Sequence, residues 1–388
     1  MKNSSYRKLH IGRILPGILI FLMVVAAVGS SIATAADEIR IGFTTAVTGV
    51  LAAMAAPERK AIQLALKQIN AAGGVNGKKI NLIVVDAQST IPGALAAVQK
   101  AVEQEQVLAL ISFLISPFVL ATSDAIKSYG IPAMIGGTHV SLTRQGNPWL
   151  FRVRPDDSIT ALAMVKYIDE NMKLSRIGIL HDSNVFGTGG ADLVEQGAKE
   201  RGMTIVRREK YTTGERDYTA RLLSLKDAGA QIMVLYGFLP IDTAWVQRQY
   251  RQLGSPFKYL GSPSSQMKIT LDLSKEAAEG LLAIADFVPG QSEVNKKYAE
   301  AYKKEYNEEY DTTSAWVYDA LNILVEAIKT AGEDRAKIRE AILAIKGYQG
   351  VLGTFSFTPN GDGLHEVSIV QIEQGKPKLL KYVSVETK

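Results

Sequence analysis

The chain has 388 residues, 47% of them hydrophobic and 21% charged, and no cysteine. Disulfide frameworks, thiol nucleophiles and thiolate metal sites are therefore excluded, and the fold must be held by its own core. Of 44 basic and 39 acidic residues, four basic ones and no acid fall in the first 35 positions, so the remainder carries only +1; that balance provides no strong field for nucleic acid or an anionic membrane.

In chain order, the first segment reads as an export leader. Lys2, Arg7, Lys8 and Arg13 form a positive start, and Ile14 to Val28 is apolar around a Pro16-Gly17 break. Ala33-Thr34-Ala35 then offers the small residues a signal peptidase reads. The apolar run is shorter than the ~20 residues needed to cross a bilayer. Residues 1–35 are expected to be a cleavable signal peptide, cut after Ala35 or Ala36, that sends the protein to the periplasm. Lipid attachment through a cysteine after the leader is excluded.

The next stretch predicts a strand from Ile39 to Phe43, a small-residue loop, and a helix with Pro57 at its start. Ile62, Ala65, Leu66 and Ile69 share one face of that helix. A turn of Gly73, Gly74, Asn76 and Gly77 leads to a second strand, Ile80 to Val85. This is a right-handed βαβ unit. Further strands are predicted at Leu108–Ile111, Ala133–Ile135, Arg176–Leu180, Thr204–Arg207, Gln231–Leu235 and Leu281–Ala285, with helical periodicity between most of them. Such alternation implies parallel sheets covered by helices on both faces. Breaks at Phe151–Asp157, Asp286–Gln291 and Thr358–Gly363 suggest a chain that crosses three times between two lobes. The expected division is residues 36–155 with 288–362 for the first lobe, and 156–287 with 363–388 for the second. Residues after Glu366 alternate as strands through a Gln374-Gly375 hairpin turn. Tyr298, Tyr302 and Tyr306 recur every fourth residue and read as a packed stripe.

Beyond the leader the only histidines are His139, His181 and His365. There is no G-x-S-x-G elbow and no H-E-x-x-H helix. The chain is therefore read as a binder rather than an enzyme, with no cofactor and no metal. Gly187, Gly189 and Gly190 have neither Walker nor dinucleotide spacing and read as a tight strand-to-helix turn.

The stretch INAAGGVNGKKI (Ile69 to Ile80), with a strand ending at Asp86, resembles the type I periplasmic solute-binding proteins of ABC importers, in their leucine/isoleucine/valine-binding family. GIPAMI, FRVRPDD, HDSNVFGTGGADLVEQGAKERG, YDALNILVEAIKTAG and FSFTPNGDG follow in matching order. The resemblance implies an α/β fold of two Rossmann-like lobes joined by a three-segment hinge. It also implies closure over a small solute and delivery to a membrane permease, by a protein expected to be monomeric. A ligand-sensing ectodomain of the same fold, working in signalling, is the alternative.

Ligands of open α/β sheets collect beyond the carboxyl ends of strands. The loop after the first strand brings Met54, where the family often has an aromatic; it is either pocket wall or buried filler. The loop after Leu108–Ile111 contains Phe113 and then Ser116, read as the cap of a helix whose first residue is Pro117. A helix start of that kind suits a carboxylate, and the family's carboxylate-binding serine aligns with Ser116. After Ala133–Ile135, Gly136 permits close backbone approach. Thr138 matches a family position that donates to the ligand carboxylate, and His139 is a solvated loop residue or a polar contact. In the second lobe Phe186 and Phe238 align with ligand-facing aromatics, with core packing as the other reading. The family's amino-acid binders hold the α-ammonium with an acid in the loop that here reads GSPSSQ, with Ser264 at its centre and no carboxylate. The solute is accordingly a branched-chain or other apolar amino acid, or an aromatic or apolar carboxylic acid.

Overall fold

The computed structural model describes Met1 and residues 38–310 and 314–384; the predicted leader lies outside the described residues. The segment from Glu38 onward forms one compact unit built on two main sheets. In the first, β1 (Ile39–Thr45), β2 (Ile80–Asp86), β3 (Ala109–Ser112), β4 (Ala133–Ile135) and β5 (Leu150–Arg152) are ordered β2-β1-β3-β4-β5 and all parallel. In the second, β6 (Arg176–Asp182), β7 (Thr204–Tyr211), β8 (Ile232–Tyr236), β9 (Lys258–Gly261) and β10 (Leu282–Ala285) repeat that order as β7-β6-β8-β9-β10. After a small two-stranded ribbon, β11 (Tyr348–Gln349) with β12 (Thr354–Phe355), the chain returns to that sheet. The hairpin β13 (Glu366–Glu373) and β14 (Lys376–Ser384) adds antiparallel to β10.

The parallel strands are apolar because helices cover both faces. On one face of the first sheet lie α1 (Ala52–Ala71) and the late helices α9 (Glu293–Tyr306), α10 (Ala315–Ala331) and α11 (Arg335–Ala344). Trp316 on α10 is fully buried there, among Ile41, Phe43 and Ile62. On the other face lie α2 (Ile91–Gln99) and α3 (Ser116–Tyr129). The second sheet is covered by α4 (Asp157–Tyr167) and α5 (Val185–Glu200) on one face, and by α6 (Thr219–Asp227) and α7 (Pro240–Gln252) on the other. A short helix, α8 (Lys268–Ser274), follows β9. Among the described residues, no helix is long and apolar enough to cross a membrane. The tyrosine stripe is packing: Tyr298 and Tyr302 are buried, and the Tyr306 hydroxyl donates to the Lys60 carbonyl.

Three local readings change. The helix α1 begins at Ala52, so Pro57 sits inside it rather than at its start; the helix tolerates the one missing N–H because its buried face carries the packing. The FRVRPDD segment is not only a break, since Leu150–Arg152 is the edge strand β5. Ile115, not Ser116, occupies the cap position of α3, and Ser116 is already helical. The remaining crossings are tied together by charge. Arg152, fully buried, donates from Nε to Asp362 Oδ1 at 2.8 Å, and Arg154 donates from Nε to Asp286 Oδ2 at 2.5 Å. The first crossing strand is thus clamped to the third and to the second by two arginines on one side of it.

Candidate functional site

The strand order reverses direction between β1 and β3 in one sheet and between β6 and β8 in the other. At such a switch point adjacent loops leave on opposite faces and a crevice opens beyond the strand ends. Here the two crevices face each other and share one partly open cavity of about 50 Å³. Met54, Ser116, Thr138, Phe186, Phe238 and Ser264 all line it. Gly136, Phe113 and His139 do not line it.

Each polar group is held by its neighbours. Ser116 is 2% exposed, and its Oγ accepts the backbone N–H groups of Thr138 and His139, both at 3.2 Å. With its lone pairs engaged, what the hydroxyl has left to offer is its proton. The Asp157 N–H donates to the Thr138 carbonyl at 2.9 Å, which joins this loop to the start of α4. Ser264 donates to the Gly237 carbonyl at 2.8 Å and lies 3.1 Å from the Thr243 hydroxyl. Phe186 packs against Phe238 at 6.3 Å and against Tyr236 at 5.2 Å between ring centroids, forming the second lobe's aromatic wall. The Tyr236 hydroxyl in turn donates to Asp157 Oδ1 at 3.2 Å. Gly190 permits this, because a Cβ there would stand 2.0 Å from the Tyr236 ring. Burial of Asp157 pushes its pKa up to about 7, against the pull of the nearby arginines.

The residues outside the cavity have other work. Phe113 makes an edge-to-face contact with Phe118 at 5.4 Å within the first lobe's core. The Gly136 carbonyl accepts from Arg154 Nη1 at 3.1 Å. His139 reaches across to α5: its Nε2 lies 2.4 Å from where a Cβ on Gly189 would sit. Its Nδ1 accepts from the Ser141 N–H, and burial lowers its pKa.

Sequence reasoning missed Arg154 and Met267, both of which line the cavity. Met267 lies between β9 and α8 yet packs into the first lobe's core cluster. Arg154 is 6% exposed and, among the described residues, is the one charged residue on the cavity wall. A signal for it existed: each chain break carries a charge, Arg152 and Arg154 in the first, Asp286 in the second and Asp362 in the third. Opposite charges in segments expected to run side by side imply pairing.

Comparison with known proteins agrees with this architecture. The family model described as periplasmic binding protein matches residues 38–377. The chain is 27% identical over 335 residues to the leucine-, isoleucine-, valine-, threonine-, and alanine-binding protein of Pseudomonas aeruginosa, covering 86% of this chain and 89% of that one. It is 27% identical over 332 residues to the Leu/Ile/Val-binding protein of Escherichia coli, covering 84% and 88% respectively. The crystal structure of a branched-chain amino acid transporter substrate binding protein from Streptococcus pneumoniae, in complex with isoleucine, superposes with a TM-score of 0.84 at 25% identity, covering 90% of this chain and all of that one. The repeated strand order, the triple crossing and the extent of these matches lead to one conclusion: the chain belongs to the periplasmic binding protein family, as a type I solute-binding protein of the branched-chain amino acid group.

Proposed function

We propose that this protein is the extracytoplasmic receptor of an ABC importer, working in the periplasm after loss of its leader. It captures a small carboxylate-bearing solute with an apolar body by closing two lobes, and hands it to a membrane permease. The lobes are taken as residues 36–155 with 288–362 and residues 156–287 with 363–388. The observation that carries this reading is the shared cavity, in which Ser116 from one lobe faces Phe186 and Phe238 from the other. Binding needs only convergent polar groups in an apolar cleft, and closure supplies the signal a permease reads. The names of the relatives, which refer to branched-chain amino acids, support the same class of solute.

The test is titration calorimetry with apolar amino acids and apolar or aromatic carboxylates, coupled to small-angle scattering. A binding solute compacts the protein, and Ser116→Ala weakens its affinity by about 1–3 kcal/mol. Identical scattering curves with and without a bound solute would sink the closure mechanism. Unchanged affinity in Ser116→Ala would remove that hydroxyl from the site.

A further inference from the structure

We propose that the cleft selects a carboxylate that has no α-ammonium group, and that Arg154 is a binding residue for its anionic head. This rests on the reading above that the cleft captures a carboxylate, and it narrows the solute class.

The argument starts from which hydrogen-bonding groups on the wall remain unused. Arg154 gives three bonds to protein, to Asp286 Oδ1 and Oδ2 and to the Gly136 carbonyl. A guanidinium carries more N–H groups than that, and its remaining donors sit on Nη1 and Nη2 of a side chain that lines the cavity. Ser116 adds a donor from the neighbouring loop. Two of the wall's carbonyls are already engaged twice. The Gly237 carbonyl already takes the hydroxyls of Ser262 and Ser264, and the Ile115 carbonyl takes the N–H groups of Phe118 and Val119. Ser116 Oγ accepts twice. Among the described residues the cavity wall contains no carboxylate.

An ammonium enclosed here would lie beside a guanidinium, with those two carbonyls engaged and, among the described residues, no carboxylate on the wall to pair with it. A carboxylate meets the surplus donors of Arg154 and Ser116, on a guanidinium whose charge is shared with Asp286. The anion nearest Arg154 is its own partner Asp286, and two further anions, Glu58 and Asp157, act on it from behind the wall. Glu58 accepts from Trp316 Nε1 at 2.7 Å and from the Thr45 hydroxyl at 3.2 Å. Asp157 accepts from Tyr236, and its Oδ2 is buried without a partner. Asp157 is therefore the one rival for an ammonium. The Arg154–Asp286 pair also links the site to the hinge: a solute held by Arg154 touches two crossing strands at once, through a side chain on the first and its partner on the second.

The experiment uses matched solutes on the leader-free protein: L-leucine against 4-methyl-2-oxopentanoate, and L-phenylalanine against 3-phenylpropanoate, by calorimetry. The acid lacking the ammonium is expected to bind at least about tenfold more tightly than its amino partner. Arg154→Gln is expected to weaken that acid by about tenfold or more. Because Arg154→Gln strands Asp286, the double variant Arg154→Gln/Asp286→Asn is measured beside it, with thermal unfolding as the folding check; it too should bind weakly. Tighter binding of the amino acid, lost in Asp157→Asn, overturns this inference and leaves solute capture standing. Undiminished binding of the acid in the folded double variant removes Arg154 from the site. Binding of neither member of either pair overturns this inference and counts against the proposed capture of carboxylates itself.

Discussion

Replacing Asp362 by alanine tests the hinge most directly. Arg152 is fully buried, and its guanidinium is held by Asp362 Oδ1 at 2.8 Å, the Thr143 hydroxyl at 2.8 Å and the His139 carbonyl at 2.9 Å. Thr143 also donates to Asp362 Oδ1, at 2.9 Å. The substitution removes the only anion directly bonded to Arg152 and leaves the cation inside the protein. Breaking a buried pair from one side costs about 3–5 kcal/mol. Asp156 lies close enough to act on Arg152 through space, which favours the lower end. For a chain of this length the unfolding entropy is roughly 0.7 kcal/mol/K, so the melting temperature should fall by about 4–7 °C. Thermal unfolding followed by circular dichroism, checked by the urea midpoint, measures it. The paired change Arg152→Met with Asp362→Leu should recover most of the loss, since an apolar pair carries no desolvation cost. A drop of under about 1 °C for Asp362→Ala would refute the reasoning, because it would mean the stranded charge reaches water.

Two further outcomes are expected. Gly189→Ala puts a methyl 2.4 Å from His139 Nε2 across the cleft. On the proposed closure mechanism the clash strains only the closed arrangement, so solute affinity should weaken by about 1–3 kcal/mol with the ligand-free melting temperature unchanged; Gly189→Ala matching wild type in calorimetry would dismiss the contact. Asp242 is buried, accepts the Gly214 N–H at 2.8 Å, and is pushed up to about 6 by that burial. Its folded-state pKa lies above the unfolded value of 3.8. The folded protein therefore keeps a proton that the unfolded chain releases, and the stability it contributes falls as pH rises from about 4 to about 6, then stays level. Asp242→Asn keeps an acceptor for Gly214 and should flatten that slope, by an amount of order 1–3 kcal/mol; parallel slopes for the two proteins in urea titrations would contradict the assignment.

Much of the site could be read before the fold was seen, because periodicity marks where strands end and ligands gather at strand ends. Periodicity places the loops after the strands, and the family resemblance picks out Met54, Ser116, Thr138, Phe186, Phe238 and Ser264 within them; these six meet in one cavity. Phe113 was placed by the same logic but turns into the core, its φ of 45° swinging the side chain toward Phe118. Local sequence carries no information on which side of such a kink a ring will fall.

The sequence alone determined the alternation of strand and helix, the parallel sheets, the closing hairpin and the three crossings, since each depends on local hydrophobic period and turn chemistry. Tertiary structure alone decided which charges meet. Arg154 and Asp286 are 132 residues apart, and Arg152 and Asp362 are 210 apart. Such pairs depend on two crossing strands lying side by side, a relation set by the packing of whole lobes. Arg154, the one charged residue lining the cavity among the described residues, is thus hidden from a reading of neighbours along the chain, and only the matching charges at the three breaks hint at its pairing.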